Sequence, residues 1–236
     1  MGRLSPLHFG RFGNFKAEAD IELKRQTYLI DEVSYIIDSL KDNQQYDAND
    51  GAAELGINDA TWSLFGQVWP TSVVMAMNIY KLELAGKRVL EIGCGIGLCS
   101  IVLHQMGIDI TASDYHPRVR EFLDRNVLGN GLSPIKYQAG NWDRENPQLG
   151  KFDLMIGSDI LYQPDHAHLV SRFIDRHSGD DVEVVIGDPG RANRSKFTMN
   201  MIDLGYLHRF EKFDQQLQDG NRCKGRISHY QRHPLS

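Results

Sequence analysis

The segment Glu91-Ile92-Gly93-Cys94-Gly95-Ile96-Gly97 constrains this chain more than any other. It follows a β-branched apolar run and precedes a helical pattern, so it lies where a buried strand turns into a helix. Alternate glycines suit a turn that needs unusual φ/ψ and a backbone that a ligand approaches without meeting a Cβ. Such a turn aims free N–H groups and the positive end of a helix dipole at whatever binds. A buried strand also needs parallel neighbours covered by helices.

The rest of the chain supplies them. Residues 89–92, 108–112, 135–139, 152–157 and 182–187 read as strands, and 97–106, 117–128, 165–176 and 192–204 have helical spacing between or after them. Pro117 suits a first helical turn. The rhythm then changes: 206–213 and 226–230, joined by the polar, turn-rich 215–225, read as an antiparallel pair at the edge of the sheet. The expected fold class is α/β, a Rossmann-like, doubly wound, mostly parallel sheet with an antiparallel C-terminal edge strand and an N-terminal extension. Residues 28–40 are β-branched enough for an extra hairpin, with part of them equally readable as helix, and 41–59 read as a polar loop. The expected division is an N-terminal extension over 1–60 and the main domain over 61–236.

Composition excludes several classes. With 26 basic and 31 acidic residues and a net charge of −5, the chain lacks the positive field that drives non-specific phosphate binding. Its apolar stretches fall far short of the ~20 residues of a membrane helix. Arg3, Arg11 and Lys16 precede the first acid, but the segment has neither an apolar h-region nor an apolar face. Met1-Gly2 is not a myristoylation start, because the Ser or Thr position is Pro6. Cys94, Cys99 and Cys223 form no C-x-x-C pair, which argues against a disulfide framework or zinc site and for a reducing compartment, the cytoplasm.

A dinucleotide fingerprint would place glycine at position 98, where the chain has Leu98, and its pyrophosphate would be repelled by Glu91. An acid just before the glycines instead suits a cofactor with a cationic, amino-acid-like group, and a nicotinamide oxidoreductase is set aside. Ser113-Asp114-Tyr115 ends the second strand. Asp114 reads either as an acceptor for two ribose hydroxyls or as a cap for the helix near Pro117. Cys94 reads as a small residue packed beside the ligand.

Together these residues resemble the class I, seven-strand S-adenosylmethionine-dependent methyltransferases. The resemblance implies S-adenosyl-L-methionine as cofactor and a sheet order 3-2-1-4-5-7-6, with the glycine loop holding the methionine moiety and Asp114 the ribose. Gly157-Ser158-Asp159-Ile160-Leu161-Tyr162 is similar to the D-x-x-Y motif of methyltransferase family sixteen, a branch rich in protein lysine methyltransferases. Gly66-Gln67-Val68-Trp69-Pro70 resembles the tryptophan motif of that branch, and Asn141-Trp142 its tryptophan near the adenine. Asn141 stands where many class I enzymes carry an acid; its side-chain oxygen can still accept a hydrogen bond. The implied cofactor contacts are Trp69, Glu91, Gly93, Cys94, Gly95, Gly97, Asp114, Tyr115, Asn141, Trp142 and Ser158. Asp159 and Tyr162 are the implied substrate-facing pair, with a helix cap and a packed aromatic as their plainer readings.

The resemblance implies methylation of a protein lysine, with a small-molecule, nicotinamide-like amine or a non-catalytic cofactor-binding interaction protein as alternatives. The resemblance also implies that nucleic-acid bases are not the acceptor, because amino-methylating DNA enzymes typically carry Asn or Asp, Pro-Pro and an aromatic after strand four and this chain has no Pro-Pro there. Arg191, Arg194 and Lys196 read as a solvated helix face in preference to a basic rim. His166 and His168, two apart on a helix, point in different directions and are not expected to share a metal, and no metal is expected elsewhere. Trp62, Phe65 and Trp69 read equally as core packing or as a recognition surface. The ligand preference is checked by thermal shift: S-adenosylmethionine and its demethylated product are expected to raise Tm and NAD to leave it unchanged, and stabilisation by NAD alone would overturn the reading.

Overall fold

The structure, a computed structural model, describes residues 21–43, 45 and 50–234. The readings of Met1-Gly2 and of the basic segment through Lys16 lie outside those residues, as does part of the polar loop expected over 41–59.

The described residues open with a hairpin of β1 (Leu23–Ile30) and β2 (Val33–Leu40), followed by the short helix α1 (Asp59–Trp62) and α2 (Pro70–Asn78). The alternating part comprises β3 (Arg88–Ile92), α3 (Leu98–Gln105), β4 (Asp109–Asp114), α4 (Val119–Gly129), β5 (Lys136–Ala139), β6 (Phe152–Ser158), α5 (His166–His177), β7 (Ser178–Asp188) and α6 (Arg194–Asp203). The strands β8 (Leu207–Gln216) and β9 (Arg222–Arg232) close it. The sheet order is β5-β4-β3-β6-β7-β9-β8, parallel from β5 through β7. Counted from β3, this is the expected order 3-2-1-4-5-7-6. The antiparallel C-terminal pair forms one side, with β9 against β7 and β8 outermost.

The alternation of side chains along each strand builds a core on either face. Val89, Leu154, Ile156 and Val185 join α2, α3 and α4 on one face, and Leu90, Met155, Val184 and Ile186 join α5 and α6 on the other. Strands apolar on both sides are what a sheet covered by helices on both faces requires. The order reverses between β3 and β6, so their carboxyl ends open a crevice. No helix among the described residues is long and apolar enough to cross a membrane.

The hairpin is strand throughout, and no part of 28–40 is helical. Asp31 and Glu32, at φ 46° and 66°, form its two-residue turn, the left-handed pair that matches strand twist. Ile30, Tyr35, Ile37 and Leu40 share one core cluster with Val89 and Ile110, so the boundary expected at residue 60 falls inside a shared core. Asn126 of α4 fastens the hairpin: its Oδ1 accepts the Asp38 N–H at 2.7 Å and its Nδ2 donates to the Asp38 carbonyl at 3.1 Å. The site is buried, so removing the amide strands two backbone groups. Asn126→Ala is expected to cost about 2 kcal/mol, read as a lower urea midpoint at constant m-value. A loss of a few tenths would show that water replaces the amide.

Candidate active site

At the end of β3 the chain turns through Gly93, Gly95 and Gly97, with φ of 62°, 50° and 83°. A Cβ on Gly95 would lie 2.9 Å from the Phe65 carbonyl oxygen, and one on Gly97 would meet the movable end of the Leu123 side chain. Glycine is required at Gly95 by both conformation and space, and at Gly97 by conformation. Gly97 is the N-cap of α3, so the loop delivers the helix N-terminus to the crevice.

The loop is tied to the end of β4. The Cys94 N–H donates to the Ser113 carbonyl at 3.0 Å, and the Gly95 N–H to Asp114 Oδ2 at 3.0 Å. The other carboxylate oxygen of Asp114 accepts the His116 N–H at 2.9 Å. Asp114 therefore caps no helix: α4 starts at Val119, and its N-cap is Arg118. Burial raises its pKa against the pull of these amides.

Glu91 lines the crevice, while its Oε2 serves α3, accepting the Ser100 N–H at 2.8 Å and the Ser100 hydroxyl. It is 3% exposed, and burial pushes its pKa up to about 7.

The crevice is a cavity of about 360 Å³. It is lined by Trp69, Glu91, Gly93, Cys94, Gly95, Gly97, Asp114, Tyr115, Trp142, Ser158, Asp159 and Tyr162 among the residues anticipated from sequence. Trp69, at the mouth of α2, is fixed by an Nε1 bond to the Leu64 carbonyl at 3.0 Å. Trp142 and Ile160 close over Gly93, where an added Cβ would meet them at 3.2 and 2.9 Å. Cys94 is buried, and burial pushes its thiol pKa up, as fits a packed residue. Burial likewise raises the pKa of the Tyr162 hydroxyl, whose ring lies 4.5 Å edge-on to His166.

Asn141 does not join the lining. Its Oδ1 accepts the Asp143 N–H at 2.9 Å, and its backbone exchanges two bonds with the Asn146 side chain. A local turn has claimed the amide, as short polar side chains often allow. Asn141 is thus the one anticipated cofactor contact that stands outside the lining.

Asp159 has φ 60°, a left-handed conformation held by its N–H bond to the Gly187 carbonyl at 2.9 Å. Its Oδ1 accepts the Arg191 Nε–H at 2.6 Å, and Arg191 Nη2 pairs with the same oxygen as an ion pair at 2.6 Å. It caps no helix, since α5 begins at His166 after Asp165. Arg191 and Arg194 were expected on a solvated face; they pair instead with Asp159 and Asp188. Lys196 is exposed as expected.

His116 was also missed. It is 4% exposed and stacked on Phe65 at 4.0 Å, and burial drives its pKa down to about 3, so the ring is neutral. Trp62 is wholly buried in the core, whereas Phe65 and Trp69 reach the cavity wall. Only the Asp-x-His spacing after β4 hinted at His116.

Comparison with known proteins gives a consistent picture. A family model described as lysine methyltransferase matches residues 51–204. The chain is similar to protein N-lysine methyltransferase METTL21A of Danio rerio, at 33% identity over 55% of this chain and 62% of that protein. It is similar to the histidine protein methyltransferase 1 homolog of Dictyostelium discoideum, at 38% identity over 41% of this chain and 33% of that protein. The chain thus spans less than two thirds of either relative. The magnesium protoporphyrin IX methyltransferase of Synechocystis, solved with bound SAM, shares the fold, with a TM-score of 0.53, 17% identity and coverage of 69% of this chain and 77% of that one.

The pKa of Glu91 makes a pH prediction. Because burial lifts it from 4.5 to about 7, the folded state holds a proton that the unfolded state has lost, and stability falls as pH rises through that window. Glu91→Gln removes this slope. Its stability relative to the parent is expected to rise between pH 4.5 and about 7 and to level off above, measured by urea titration at each pH. Parallel curves would place the carboxylate's pKa near its ordinary value.

Proposed function

The chain belongs to the lysine methyltransferase family, and on that premise we propose that it transfers a methyl group from S-adenosylmethionine to the side-chain amine of a protein lysine. One observation carries this reading: the glycine loop, Asp114 and the Asp159 carboxylate line a single cavity of about 360 Å³. That volume falls within the range of small-molecule sites. The lining fits the cofactor in its chemistry as well as its size. Acids face a cationic amino-acid group and a ribose, and the faces of Trp142 and Tyr115 are apolar surfaces for a flat base.

When bound, the cofactor supplies an electrophilic methyl group whose leaving group is a neutral thioether. The chain's own residues provide alignment and field. Asp114 holds the glycine loop through Gly95 and offers its remaining lone pairs to ribose hydroxyls. Trp142 and Ile160 exclude water beside Gly93. Asp159 orients the incoming nitrogen, Tyr162 flanks it, and the amine proton leaves through water at the cavity mouth. A lysine of pKa near 10.4 is about one part in a thousand neutral at pH 7.4, so loss of that proton is part of the reaction. The three cysteines are buried and unpaired, which fits a reducing compartment such as the cytoplasm.

Labelled methyl transfer into a lysate, followed by protease, nuclease or size filtration, is expected to leave label in protein as methyl-lysine. Label in methyl-histidine or in the small-molecule fraction would redirect the reading. Asp159→Ala is expected to lower transfer at least a hundredfold with cofactor affinity kept, whereas Asp114→Ala weakens the cofactor at least tenfold, roughly 1.4 kcal/mol by calorimetry. The reverse pattern would exchange the two roles.

A further inference from the structure

A carboxylate alone beside the transfer point would work against the reaction. An opposite charge within a few ångströms raises the pKa of an amine by about 1 to 3 units, so an unaccompanied Asp159 would hold the acceptor in its unreactive ammonium form. The structure places a cation on that carboxylate already. Among the described residues, Arg191 is the one Lys or Arg lining the cavity.

Its position is built by two strand ends. On the β7 side, Asp188 Oδ1 accepts the N–H groups of Gly190 and Arg191 at 2.7 and 2.8 Å, with Arg194 Nη1 at 3.4 Å. On the β6 side, the left-handed Asp159 is pinned to Gly187. Both guanidinium contacts go to Oδ1, and among the described residues no bond engages Oδ2. The Asp159 side chain is 5% exposed and that of Arg191 34%, so the cation lies on the outer side of the pair. A guanidinium stays charged at every working pH, so the offset is permanent.

We propose that Arg191 is a positioning residue that cancels the Asp159 charge, so that Asp159 Oδ2 orients an amine acceptor by hydrogen bonding without stabilising its ammonium form. The proposal rests on the methyltransfer reading of the same cavity. The other ionisable groups facing the pair leave Arg191 this task. Glu91 and Asp114 at the ends of β3 and β4 are acids, as is Asp188 behind the turn. Asp165 at the start of α5 is a further acid, and Arg194 is taken up by Asp188. Burial raises the pKa values of Cys94, Tyr115, Tyr162 and Cys223, which keeps them neutral, and lowers those of His116 and His166, which does the same.

Two cofactor analogues test the field at the transfer point without knowledge of the acceptor. Sinefungin carries a primary amine where the cofactor carries its sulfonium methyl, and S-adenosylhomocysteine carries no charge there. At pH 7.5, Arg191→Gln is expected to raise sinefungin affinity relative to S-adenosylhomocysteine by about tenfold or more, and Arg191→Lys to return the ratio to that of the parent. In the lysate assay, Arg191→Gln is expected to move the acid limb of the transfer rate up by about one pH unit. If both variants melt like the parent and bind S-adenosylhomocysteine while the ratio and the pH limb stay put, Arg191 merely staples two loops and the proposal is overturned. If the parent itself fails to bind S-adenosylhomocysteine, the methyltransfer reading falls instead.

Discussion

The hydrogen bond from the Gly95 amide to the Asp114 carboxylate holds the site together. It fixes a loop of three left-handed glycines, anchored otherwise by the buried side chains of Cys94 and Ile96, against the end of the neighbouring strand. The parallel pairing of β3 with β4 brings these residues level, the register running from Arg88 opposite Asp109 to Ile92 opposite Ser113. Asp114 is the next residue along. One carboxylate thus shapes the loop, and the same residue borders the cavity. A buried acid satisfied by backbone amides can do both, because each oxygen accepts more than one bond.

The second half of the site depends on a different economy of charge. Buried carboxylates are costly unless they are bonded, and each one here has found partners. Glu91 serves the first turn of α3, Asp114 the glycine loop, Asp188 the turn into α6, and Asp159 a guanidinium. Four acids from β3, β4, β6 and β7 converge on one sheet edge, and only one of them has an arginine within the cavity.

Most of the fold was legible because its signals are local. Short apolar runs between helical patterns placed β3 to β7 within a few residues, and the glycine spacing marked the loop itself. What escaped depends on distance or on competition. Arg191 and Asp159 are 32 residues apart in sequence and meet only because β6 and β7 are neighbours. The stack of Phe65 on His116 joins a pre-sheet turn to the end of β4, which no spacing reveals. Asn141 stands outside the cavity lining, its amide engaged by a nearby backbone N–H. The hairpin turn lacked a glycine, and Asp31-Glu32 took the left-handed pair regardless.

The outermost strand, β8, has a consequence of its own. A free sheet edge invites another chain to add to it unless something discourages pairing. Here Arg209, Glu211, Lys212 and Asp214 line the strand, and Arg222 and Lys224 of β9 reach across to Asp214. These charges blunt the edge against self-association. They also discourage a visiting peptide from docking there as an extra strand.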